Sequence, residues 1–178
     1  MSRSTSAGFT LIEMAVVVFI IGLMATVLMP HLSGLRVMRL KTEVRRLAGR
    51  ITFASDQAAA DKLVVRLTFD LDKNRYFVSQ LDPYAPLPMF GADSAPGAAP
   101  IALPPGVRLR DVTVADIGTV SKGTISCNFY PEGYGDATLI HIDDEWGDLF
   151  SLAINPLTGR VAIVRGEYDA TSRRRAGQ

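Results

Sequence analysis

Glu13 is the first residue of this sequence that demands a chemical reason. It stands alone in the apolar run of residues 9–29, FTLIEMAVVVFIIGLMATVLM. An ionised carboxylate within hydrocarbon is costly unless it finds a partner or reaches the interface. Glu13 therefore either snorkels to the lipid headgroups or meets a positive charge inside an assembly. Elsewhere the chemistry is thin. Nucleophilic catalysis needs a base beside a Ser, Cys or Lys, and the two histidines are His31, at the end of the apolar run, and His141, which alternates with Leu139 along an apolar stretch. No catalytic triad is legible. Cys127 is the single cysteine, so it closes no internal disulfide; Ile125 and Phe129 on either side place it on the buried face of a strand. Asp143, Asp144, Glu145 and Asp148 crowd around Trp146 and Gly147, either as a solvated hairpin turn or as an oxygen-rich calcium loop, without the spacing of a defined calcium motif. No cofactor and no metal ligand set is expected.

The elements that carry these residues follow from length and periodicity. A chain of 178 residues supports one globular core. With 19 Lys and Arg against 18 Asp and Glu, the net charge of +1 gives no global field for nucleic acid. The run 9–29 is about the 20 residues that a helix needs to span a bilayer, and the Ala-x-Ala-like site of a secretory signal is missing after it. Beyond Pro30, apolar residues recur at Val37, Leu40, Val44, Leu47, Ile51, Ala54 and Ala58, alternating steps of three and four that draw one stripe along a helix. Pro30 lacks an N–H and is expected to kink or loosen the helix as it leaves the apolar run. Gly22 adds compliance or a close-packing face. From residue 9 to about 60 such a helix is roughly 75–80 Å long at 1.5 Å per residue.

The string Gly8-Phe9-Thr10-Leu11-Ile12-Glu13, followed by the apolar helix and Pro30, resembles the class III signal of type IV pilins and type II secretion pseudopilins. The resemblance implies a prepilin peptidase that cuts after Gly8 on the cytoplasmic side and methylates Phe9, the new first residue. Glu13 becomes the fifth residue of the mature chain. A glycine before the scissile bond leaves a protease unobstructed and lets the backbone extend. The freed Phe9 amine is a buried cation, and Glu13 of a neighbouring subunit in a helical array would neutralise it, setting register. Two features depart from the family pattern: the leader has one basic residue, Arg3, and the far flank holds Arg36, Arg39, Lys41, Arg45 and Arg46. Charge alone would put the C-terminal domain in the cytoplasm. The peptidase signature requires the leader there instead.

After the helix the period changes to two. Residues 63–69 and 75–80 flank a polar turn at 70–74 and read as a β-hairpin. Further strands are expected at 107–114, 123–130, 138–142, 149–154 and 160–165, giving antiparallel sheets. The stretch 82–106 holds seven of the ten prolines and is expected to be a loop or irregular excursion. The domain organisation is then a leader at 1–8, a transmembrane helix at 9–29, an amphipathic continuation at 30–60, a β domain at 61–168 and a basic tail at 169–178. The fold class is α+β, a long N-terminal helix packed on an antiparallel β domain.

The helix running into residues 51–58, the 70–72 turn and the closing Asn155-Pro156-Leu157-Thr158-Gly159-Arg160-Val161 turn are similar to the GspH/FimT branch of minor pseudopilins and minor pilins. That similarity implies a non-enzymatic assembly subunit of the type II secretion pseudopilus, anchored once in the bacterial inner membrane with its domain in the periplasm. Its implied partners are other pseudopilins, the prepilin peptidase and the inner-membrane assembly platform. A minor type IV pilin that primes pilus assembly shares the same features. A single-pass anchored binding domain explains the span but not Gly8, Glu13 and Pro30 together.

Overall fold

The computed structural model describes residues 10–82, 89–91 and 99–168, and within them leaves aside the side chains of 25–37, 89 and 91. The chain divides into two compact units, Met1–Met38 and Arg39–Gln178. Helix α1, Leu11–Asp61, runs without interruption through Pro30.

In the first unit, α1 begins behind Thr10, whose carbonyl and Oγ1 accept the Glu13 N–H at 3.1 and 3.3 Å. Thr10 is thus an N-cap, which satisfies a donor that the first turn leaves free. Every side chain from 10 to 24 is exposed, Leu11 to 89% and Phe19 to 70%. Apolar residues occupy all sides of this segment, so it has no polar face to turn to water. No helix among the described residues is long and apolar enough to cross a membrane; within the apolar run the described side chains are those of 10–24.

In the second unit the expected stripe is the face that packs. Leu40, Val44, Leu47, Ile51, Ala54 and Ala58 are fully buried, and they share one core cluster with both sheets. Val37 lies outside the described side chains. The hairpin forms as expected from β1, Val65–Asp70, and β2, Arg75–Asp82. The proline-rich stretch is not all loop, a correction to the sequence reading: β3, Met89–Gly91, and β4, Ile101–Ala102, both pair with β2. Strands of two or three residues have too few positions for a period to register. They form because β2 offers an unpaired edge.

The remaining strands are β5, Val107–Val114; β6, Gly118–Val120; β7, Thr124–Phe129; β8, Thr138–Asp144; β9, Leu149–Ile154; and β10, Val161–Arg165. One sheet has the order β3-β2-β1-β7 with β4 also on β2, and the other has β10-β9-β8-β5-β6; each has five strands. All pairings are antiparallel. Strand β7 is the exception to sequence neighbourhood, because it leaves the second block to pair with β1 in the first sheet. Its Cys127 is fully buried between Ile125 and Phe129, as the alternation requires.

Asn74 joins the two blocks. Its φ of 49° closes the β1–β2 turn. Its side chain then donates to Val107 O at 2.7 Å and accepts from Leu109 N at 2.9 Å.

Candidate functional site

The expected assembly residues all belong to the N-terminal segment. Gly8 and Phe9 lie outside the described residues. Glu13 sits in the first turn of α1, exposed, where a carboxylate also complements the positive end of the helix dipole. Pro30 is on the same helix, its ring outside the description. What the structure supplies is a capped helix whose start orients Glu13 and whose described surface from 11 to 24 is apolar and uncovered.

The acidic turn between β8 and β9 has other employment. Asp143 accepts Arg108 Nε and Nη2 at 2.6 and 2.9 Å, a bidentate pair that holds the guanidinium pKa above its usual value. One oxygen of Asp144 accepts the Trp146 and Asp148 amides at 3.0 and 2.9 Å, and Asp148 accepts from Arg165 at 2.8 Å. Three of the four carboxylates are therefore engaged by arginines and turn amides. Among the described residues no cluster of three or more His, Cys, Asp and Glu is gathered for a metal ion.

Sequence reasoning missed one polar constellation. A bulge in β5 between Leu109 and Asp111 brings Asp111 opposite His141 of β8, and His141 is in turn opposite Ser151 of β9. His141 Nδ1 lies 2.7 Å from Asp111 Oδ1, while its Nε2 is buried without a hydrogen-bond partner among the described residues. These are the residue types of a nucleophilic triad. Ser151 is nonetheless fully buried; its hydroxyl donates to Gly166 O at 2.6 Å and accepts from Tyr168 N at 3.1 Å. Ser151 fastens the segment after β10 onto the outer face of the second sheet. The alternation of His141 with Leu139 gave the face correctly, but a bulge leaves no periodic trace from which Asp111 could have been found.

With this geometry in place, the comparisons with known proteins are decisive for the fold. Residues 3–29 match the family described as the prokaryotic N-terminal methylation motif. A crystal structure of the minor pseudopilin EpsH from the type II secretion system of Vibrio cholerae superposes with a TM-score of 0.54 at 14% identity, over 74% of this chain and 97% of that one. The chain has the fold of a minor pseudopilin. A second EpsH structure from Vibrio cholerae agrees, with a TM-score of 0.53 at 12% identity over 72% of this chain and 99% of the other. Among curated proteins none matches the sequence. The methylation motif covers the segment that holds Gly8, Phe9 and Glu13.

Proposed function

We propose that this chain is a minor pseudopilin of a type II secretion system, an assembly subunit anchored in the bacterial inner membrane by residues 9–29 with its β domain in the periplasm. The observation that carries the proposal is the conjunction of the methylation motif at 3–29 with a pseudopilin fold behind it. An apolar helix exposed on all sides from 11 to 24 supports it, because such a surface needs lipid or other helices around it. Prepilin peptidase cuts between Gly8 and Phe9 and methylates the new terminus. Glu13 then neutralises the Phe9 amine of the subunit packed beside it, and Pro30 gives the helix compliance as subunits stack. The β domain binds other pseudopilins and catalyses nothing.

The first test is intact mass after co-expression with prepilin peptidase. The expected product begins at N-methylated Phe9; a chain that retains Met1 to Gly8 defeats the proposal. Glu13→Ala is expected to be cleaved normally yet to be methylated or incorporated into fibres poorly, and wild-type incorporation of that variant would remove the charge-pairing step. Deleting the gene is expected to stop exoprotein release while leaving surface pili intact. Loss of pili with secretion preserved would favour a minor type IV pilin instead.

A further inference from the structure

Strand β10 closes the second sheet on an edge that no described strand covers. Natural sheet edges are usually blunted by charges, proline, bulges or brevity. The opposite edge, β6, is three residues long. By contrast β10 is Val-Ala-Ile-Val-Arg, with neither proline nor bulge, and its lone charge, Arg165, is already held by Asp148 at 2.8 Å. Ala162 is exposed, and so is Ile163, at 43%. Among the described residues the chain does not fold back over this edge. After β10 it turns across β9, where Gly166 N donates to Leu149 O and Ser151 holds Gly166 and Tyr168.

Beside the edge, the outer face of the same sheet carries an apolar groove of about 510 Å³. Ala162, Ala153 and Leu139 line it along successive strands, Thr113 lies beyond them, and Tyr168 contributes to its wall. Arg160, immediately before β10, lines the groove as well, exposed and paired with no carboxylate among the described residues. Unpaired backbone groups, an adjoining apolar trough and one uncompensated cation therefore lie together.

We propose that β10 and this groove take up an extended segment of another protein, added as a further strand to the second sheet. The segment carries small or apolar side chains over Ala162 and Ala153 and a carboxylate against Arg160. Main-chain hydrogen bonds along β10 supply affinity, while the groove and Arg160 supply selectivity. A second copy of β10 fits worse. Antiparallel self-pairing about Ile163 sets Gly166 of one strand opposite Arg160 of the other, so it brings no carboxylate to that cation. The chain's own tail beyond residue 168, with Arg173, Arg174 and Arg175, shares the sign of Arg160. The proposal goes beyond the assembly role and rests on the second unit alone, so it stands or falls independently of cleavage at Gly8.

The test uses the full chain in detergent micelles and two fluorescent peptides, Asp-Val-Thr-Val-Ala-Val-Asp and its counterpart with Lys for each Asp. Fluorescence anisotropy is expected to give at least about tenfold tighter binding of the acidic peptide, a factor of ten being about 1.4 kcal/mol. Ile163→Lys is expected to weaken that binding by about tenfold or more, and Arg160→Glu to reverse the preference between the peptides. Unchanged thermal midpoints for both variants show that lost binding is not lost folding. Hydrogen exchange on the unsubstituted chain adds a readout free of mutation: the acidic peptide is expected to slow amides of β10 and not those of β6. Binding of neither peptide, equal binding of both, or acidic-peptide binding that survives Ile163→Lys overturns the proposal. So does a chain ending at Tyr168 that binds where the full chain does not, since the tail is then the occupant. A dimer that Ile163→Lys dissolves would assign the edge to a second copy and overturn it too.

Discussion

Gly159 is where the turn from β9 to β10 meets helix α1. Its φ of 61° lies in the left-handed region, and a Cβ there would collide with the Ser55 hydroxyl. Alanine at this position incurs backbone strain and displaces a helix side chain. Gly159→Ala is expected to destabilise the domain by about 1–3 kcal/mol in urea unfolding. Adding Ser55→Ala should recover part of that loss; no recovery would assign the whole cost to the backbone. Cys127 offers a second check at this scale. Burial pushes its thiol up to about 12, so it stays neutral at physiological pH. Maleimide is expected to leave it unmodified in the native protein and to label it fully in denaturant, whereas native labelling would show that β7 opens. Asp70 sets part of the acid response. Burial by itself would raise its carboxyl, but the Lys73 amide and the Arg75 guanidinium outweigh it and hold the carboxyl below its usual value. A depressed folded-state value contributes stability above the unfolded one, and that contribution disappears as pH falls through the folded one. Asp70→Asn should therefore flatten the decline of the urea midpoint below about pH 4; an unchanged slope would remove Asp70 from the acid response.

At the scale of elements, α1 does two jobs with two surfaces. Its described start is apolar all round, while from Leu40 onward one stripe enters the core. Leu47→Ala is expected to cost about 2–5 kcal/mol in denaturant unfolding. Arg45→Ala, on the exposed side, should stay within about 0.5 kcal/mol; equal losses would mean that the stripe is not what fastens helix to sheet. The stripe was legible because a helix buried on one face must repeat its apolar residues every three or four positions. The hairpin of β1 and β2 was legible for the analogous period of two, and β5 and β9 appear at the residues that alternation marks. Strands β3, β4 and β6 were not, since segments of two or three residues exist only through the neighbour they pair with. The contact of Asp111 with His141 was hidden for the same kind of reason: a bulge is a tertiary accommodation. The methylation motif at 3–29, which holds Gly8, Phe9 and Glu13, was legible because it is a pattern in local sequence.

For the whole molecule, the decisive topological event is the return of β7 to β1. Thr68 and Ser126 share a side-chain hydrogen bond at 3.0 Å although 58 positions separate them. Everything from β2 to β6 is threaded within that loop, including the strand that founds the second sheet. A chain still being synthesised therefore cannot finish the first sheet until Phe129 has been released, and until then the long edge of β1 stays open to any sticky strand nearby. The vulnerable interval in the life of this protein is thus its synthesis, and a nascent fragment ending before β7 is the species on which a chaperone would have to act.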